Sequence, residues 1–148
     1  MKLVNINLLK HIEGFSEKRV ANMKRKMLES GIWERPICIE KNHFLILDGQ
    51  HRFEVASKLG FKYIPCEFFD YNDKLVIVWS LRKECVVTKE LVIERALSGN
   101  IYPYKTAKHK FPQKVEKIGI PLKKLQYYSK MNTEDIIDYK PELERKSK

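Results

Sequence analysis

Cysteine is scarce in this chain and does not come in pairs. Cys38, Cys66 and Cys85 are odd in number, widely spaced and free of any C-x-x-C pattern, which argues against a disulfide scaffold or a zinc framework. They read as reduced thiols, mostly strand-borne, and nothing beside them supports a catalytic cysteine. Long apolar runs are missing too, since none approaches the roughly 20 residues that span a bilayer. Met1-Lys2-Leu3-Val4-Asn5-Ile6 lacks the apolar region and small-residue cleavage site of a signal peptide. The expectation is a cytoplasmic protein with no membrane partner. Acidic residues are the third shortage: 19 Asp and Glu stand against 29 Lys and Arg, a net charge of +10.

What is present suits one folded domain. The chain has 148 residues, 43% hydrophobic and 32% charged, enough to bury a core and unlike a disordered segment. The positive excess is concentrated. Residues 101–125 carry seven lysines against Glu116, whereas residues 126–148 carry five basic and five acidic residues. Such a field draws in anions, whether nucleotide or nucleic acid, and charge alone does not choose between them.

Periodicity and punctuation give alternating strands and helices. Leu3–Leu9 is apolar enough for a first strand. Ser16 caps a helix running to Ser30, with Val20, Met23, Met27 and Leu28 on one face and Gly31 as its stop. Residues 36–40 and 43–47 flank Lys41-Asn42 as a hairpin. A second helix, about Gln50 to Leu59, packs Phe53, Ala56 and Leu59 and ends at Gly60. Tyr63–Phe69 reads as a strand in which Pro65 argues for an edge or an irregular start. Leu75–Leu81 follows as another strand, and Thr88 caps a third helix through Leu97, closed by Gly99. Interleaved elements with mixed pairing imply an α+β (mixed α/β) fold.

Two segments carry chemistry. In Phe44-Leu45-Ile46-Leu47-Asp48-Gly49-Gln50-His51-Arg52, an apolar strand ends in a carboxylate, turns on a glycine and opens a helix with an imidazole and a guanidinium. A helix start offers unpaired N–H groups and a positive dipole end, so it favours anions. Arg52 can fork onto phosphate or carboxylate oxygens, and Asp48 can hold a metal or orient a hydroxyl. The plainer alternative makes Asp48 the helix cap and leaves His51 and Arg52 solvated. The second segment, Tyr102-Pro103-Tyr104-Lys105-Thr106-Ala107-Lys108-His109-Lys110-Phe111-Pro112, sets five donors between two prolines that restrict the backbone. A hydroxyl flanked by lysines, with an imidazole three residues on, suits a polyphosphate. An extended basic loop touching nothing is the alternative.

Together these segments carry a resemblance. The strand–Asp-Gly-x-His-Arg–helix unit resembles the fold family shared by ParB N-terminal domains and sulfiredoxin, a compact domain with a small mixed sheet and flanking helices. Combined with Pro103-Tyr104-Lys105-Thr106-Ala107-Lys108-His109 and Ile120-Pro121-Leu122, it is similar to the free L-serine kinases of the SbnI and SerK group. The resemblance runs from about Leu8 to Leu125. It implies a kinase domain over residues 1–125 and a short polar C-terminal extension over residues 126–148. It also implies phosphoryl transfer from ATP or ADP, with Mg²⁺, to the hydroxyl of free L-serine, giving O-phospho-L-serine.

The family's site residues carry over one at a time. Its catalytic glutamate sits in a His-Glu loop before the first helix, which here is His11-Ile12-Glu13. Its Asp-Gly-His-His-Arg is met by Asp48, Gly49, His51 and Arg52, with Gln50 replacing a histidine. Its serine-pocket tryptophan corresponds to Trp79. Its phosphate loop is met by Lys105, Thr106 and His109, with Ala107 in place of a threonine and Lys108 of an arginine. Glu13 is then the base and Asp48 a hydroxyl-orienting or metal-binding carboxylate, while His11 and His43 are left as surface residues.

Phosphoryl transfer needs positioning and charge neutralisation more than covalent help, which suits this residue set. The main rival is a ParB-like nucleotide- or DNA-binding module without transfer activity. Against it, no helix-turn-helix pattern follows the core and no Gly-Glu-Arg-Arg run is present, so nucleic acid is disfavoured as a partner but not excluded by the basic stretch. A sulfiredoxin-like reductase would want a cysteine where Gln50 stands.

Overall fold

The computed structural model describes residues 1–139. Its main sheet has five strands: β1 (Lys2–Asn5), β3 (Ile37–Glu40), β4 (Leu45–Asp48), β5 (Tyr63–Phe69) and β9 (Ile136–Asp138). They lie in the order β4-β3-β5-β1-β9. Only the β3–β5 pair is parallel, so the sheet is mixed. Two small ribbons flank it: β2 (Ile32–Trp33) pairs with β8 (Ile120–Pro121), and β6 (Ile77–Ser80) with β7 (Ala107–Lys110). Four helices complete the α+β fold: α1 (Glu17–Ser30), α2 (Gln50–Lys58), α3 (Lys89–Ser98) and α4 (Leu122–Met131).

Local chemistry explains most of these boundaries. The Ser16 hydroxyl accepts the Arg19 amide at the start of α1, and the Thr88 hydroxyl accepts that of Leu91 at the start of α3, each satisfying an orphan donor. Gly31 and Gly99 end the same helices in the left-handed region, where glycine avoids a Cβ clash. Val20 and Met27 are buried beneath α1, but Leu28 is exposed; it lies one step round the helix from Met27, off the buried stripe.

Three elements differ from the sequence expectation. The first strand stops at Asn5, whose side chain accepts the Asn7 amide and turns Ile6–Leu8 into a 3₁₀ helix. β5 lies inside the sheet despite Pro65. There β1 flanks residues 63–66 and β3 flanks 66–69, so Pro65 has a registered neighbour on one side only and its missing N–H breaks no β3 ladder. Residues 107–110, expected in a loop, form β7. The expected division at residue 125 falls inside α4, where Leu125 is fully buried, and β9 pairs with β1. Residues 140–148 of the expected extension lie outside the described residues.

The core has two parts. The larger packs α1, α2 and α4 onto the sheet around Leu3, Val4, Trp33, Ile37, Ile64 and Leu125. The smaller gathers Ile12, Leu45, Leu47, Phe69, Tyr71, Val92 and Tyr102 under α3 and β7. Burying each such side chain contributes roughly 1.5–3 kcal/mol. The segment from Lys10 to Gly14 stitches the two parts together. The Lys10 amide donates to the Phe44 carbonyl and its carbonyl accepts the Ile46 amide of β4, while Ile12 and Gly14 bond to Tyr102.

Candidate active site

A cleft of about 420 Å³ opens at that seam. It brings together nine of the expected site residues: Glu13, Asp48, Gly49, Gln50, His51, Arg52, Lys105, Lys108 and His109. Thr106 and Trp79 are not among its lining residues.

One wall is the β4–α2 junction. Gly49, with φ +123°, is the N-cap of α2, and no side chain caps the helix. A Cβ at Gly49 would lie 2.8 and 2.9 Å from the Ile37 Cγ atoms, so only glycine permits this turn. Asp48 is therefore not the cap; its carboxylate is largely exposed, 3.7 Å from Arg52 Nη2. Arg52 is more committed than its spacing implied. Its Nη1 donates to the carbonyls of Arg35 (3.0 Å) and Pro36 (2.8 Å), which ties α2 to the chain entering β3. His51 accepts the Ser16 amide on Nε2 at 3.1 Å. Burial, reinforced by Arg19, pushes its pKa below the usual value, leaving a neutral ring with Nδ1–H as its donor.

Gln50 is buried and turned away from this role. Its Nε2 donates to Ile46 O at 2.6 Å and its Oε1 meets His11 Nδ1. His11 is in turn 2.8 Å from Glu54 and lies against Phe15 and Phe53. Far from being a loose surface residue, His11 braces the Glu13 loop against α2. His43 pairs with the buried Glu40 at 3.3 Å, away from the cleft.

The opposite wall is the basic segment. Lys105 and Lys108 line the cleft and make no ion pair among the described residues. The Thr106 hydroxyl is fully buried and donates to Pro103 O at 2.6 Å, closing its own turn instead of facing a ligand. His109 is also buried. Its Nε2 is 2.6 Å from the Tyr71 hydroxyl, and among the described residues its Nδ1 has no hydrogen-bond partner. Burial, with Lys89 nearby, pushes its pKa down to about 3, so the ring is neutral. Trp79 is 41% exposed on β6, opposite Lys108 in the ribbon.

Glu13 joins the two walls. Its Oε1 accepts the amides of Ala107 (2.8 Å) and Thr106 (3.3 Å). Burial raises its pKa above the ordinary carboxylate value, and the amides of Ala107, Thr106 and Lys105 pull it partly back. A carboxylate held in this way takes up a proton more readily than an exposed one. Reasoning from the sequence missed Arg19 and Tyr104, which line the cleft and bond to each other at 3.0 Å. The one signal for Arg19 was its place three residues past the Ser16 cap, a cation on the first turn of α1.

Comparison with known proteins adds five findings. No protein-family model matches the chain. A ParB-like protein of Sulfolobus acidocaldarius is 44% identical over 43 residues, 29% of this chain and 22% of that protein. An ATP-dependent L-serine kinase of Staphylothermus marinus is 27% identical over 78 residues, 50% of this chain and 31% of that protein. The chain thus spans less than a third of the length of these curated relatives. Among solved structures, a free serine kinase in complex with AMP superposes with a TM-score of 0.77 at 18% identity, covering 83% of this chain and 92% of that one. SbnI from Staphylococcus aureus, truncated at its C-terminus, gives 0.74 at 12% identity over 98% and 92%. The fold is that of the free serine kinase and SbnI.

Proposed function

We propose that this protein transfers a phosphoryl group from ATP or ADP to the hydroxyl of free L-serine. The observation that carries the proposal is the pairing across one cleft of a poised carboxylate, Glu13, with an uncapped helix start and two unpaired lysines. The names of the relatives support it: an ATP-dependent L-serine kinase, and free serine kinase structures with AMP and with ADP bound.

In this reading the α2 amides, His51 Nδ1–H, Lys105 and Lys108 hold the phosphates. They neutralise charge that grows on the transferring group. The serine hydroxyl lies against Glu13, which accepts its proton as the new oxygen–phosphorus bond forms. Asp48 is a hard oxygen donor at the mouth of the phosphate wall. It fits Mg²⁺, which takes one or two carboxylates, retains waters and shares phosphate oxygens. When bound, that ion would add further neutralisation of the phosphates. Free nucleotide, free amino acid and reduced thiols fit a cytoplasmic setting.

A second reading rests on the match to a ParB-like protein: a nucleotide- or DNA-binding module without transfer. Incubation with Mg²⁺, ATP or ADP and a panel of free amino acids, followed by ³¹P NMR, separates the two. Phosphoserine should appear with serine alone. Salt-sensitive DNA binding with no phosphorylated amino acid would favour the module.

A further inference from the structure

Lys105 stands out for its backbone as well as its charge. Its φ is +55°, a left-handed conformation that L residues other than Asn and Asp rarely adopt. The surrounding loop holds it there. Arg82 Nε and Nη2 bond the Tyr104 carbonyl at 3.0 and 2.5 Å, and the Leu81 amide bonds the Thr106 carbonyl at 2.8 Å. Those carbonyls, drawn toward the β6 side, share their peptide planes with the amides of Lys105 and Ala107, which face the other way toward Glu13; the left-handed turn at Lys105 sets the Thr106 amide between them, also on Oε1. Successive N–H groups around a left-handed residue form an anion-binding concavity. Here the anion in that concavity is a side chain of the protein itself.

We propose that the left-handed backbone at Lys105 builds a cup of amides that grips one oxygen of Glu13 and leaves Oε2 to take the substrate proton, making Lys105 a positioning residue for the base. The inference rests on the phosphotransfer reading above. The serine Oγ–H proton passes to Oε2 as the Oγ–P bond forms and the bridging P–O bond of the nucleotide breaks. The loop that meets phosphate and the base that meets serine are then one mechanical unit. The ammonium of Lys105 serves the nucleotide, and its peptide geometry serves the base.

Comparing Lys105→Gly with Lys105→Val separates these two contributions. Both lose the ammonium, but glycine keeps the left-handed turn at no steric cost while a β-branched residue opposes it. The groups facing Glu13 across the cleft stay common to both variants: Arg82 from the segment after β6, Asp48 and His51 from the β4–α2 junction, and Lys108 and His109 from β7. The first readout needs no activity. In nucleotide-free protein labelled with ¹³C-glutamate, the Glu13 carboxyl is assigned by its loss in Glu13→Gln and then titrated. Lys105→Gly should titrate with wild type. In Lys105→Val the midpoint should move upward by on the order of one pH unit, because amides that favour the carboxylate are lost.

In turnover, both variants should lose nucleotide affinity equally. Both should also lose the part of kcat that the ammonium supplies, and the valine variant should show a further fall in kcat and an acidic limb moved to higher pH. Lys105→Thr replaces valine if Lys105→Val does not fold. An unchanged Glu13 midpoint in a folded β-branched variant overturns the proposal. Absence of phosphoserine from every protein, wild type included, together with the expected midpoint shift, overturns the phosphotransfer reading and leaves the amide cup standing.

Discussion

Single residues in this cleft divide between those that face a ligand and those that hold the wall, and Arg52 shows why the distinction matters. Its guanidinium looked like an anion fork, yet Nη1 is spent on the carbonyls of Arg35 and Pro36. Arg52→Lys should therefore lower stability, since a lysine cannot reproduce both charge-assisted bonds, each class being worth roughly 1.5–3 kcal/mol. Urea midpoints check this. An unchanged midpoint with weakened nucleotide binding would instead put Arg52 on the ligand. His109 is the second such case. Its pKa is about 3 when folded against an ordinary 6.5, so between those values the unfolded chain binds the extra proton. Stability is complete above pH 6.5 and falls as pH drops toward 3, by up to about 1.4 kcal/mol per pH unit. His109→Gln should flatten that slope in urea titrations between pH 7 and pH 4; equal slopes in both proteins would show that another group carries it.

At the scale of elements, the β4–α2 junction was the most legible part of the chain. An apolar strand, one glycine and a helix opening on His51 and Arg52 could be read directly, because strand period, turn residue and helix start are all local signals. The capped starts of α1 and α3 were legible for the same reason. Side-chain direction was not. Nothing local says that the Thr106 hydroxyl turns back to Pro103, that Gln50 points down to Ile46, or that His109 meets Tyr71 from 38 residues away. Those choices are made by packing. β7 was missed because its partner β6 lies across α3 in sequence, and a strand pair of that separation leaves no local trace. The junction also gives a sharp test. Gly49→Ala places a Cβ within 2.9 Å of Ile37 at a φ of +123°, and overlap plus backbone strain should cost about 3 kcal/mol or more. A denaturation midpoint equal to wild type would mean that the turn can relax.

For the whole molecule, the cleft lies where two cores meet, and the Lys10–Gly14 segment crosses between them carrying Glu13. The basic stretch that the sequence flagged supplies one wall, and the first turns of α1 and α2 supply the other. What the sequence could not show is that Glu13 is gripped by the backbone of the basic wall, a contact spanning 94 residues. That contact makes the cleft more than a positively charged groove, because a groove that only binds needs no poised carboxylate. The most direct measurement is therefore serine phosphorylation by Glu13→Gln set beside its nucleotide affinity. The amide keeps the shape and cannot take a proton, so turnover should fall by about 10²- to 10⁴-fold while nucleotide affinity stays within a few-fold and the thermal midpoint holds. A folded Glu13→Gln protein that phosphorylates serine at the wild-type rate would contradict the account.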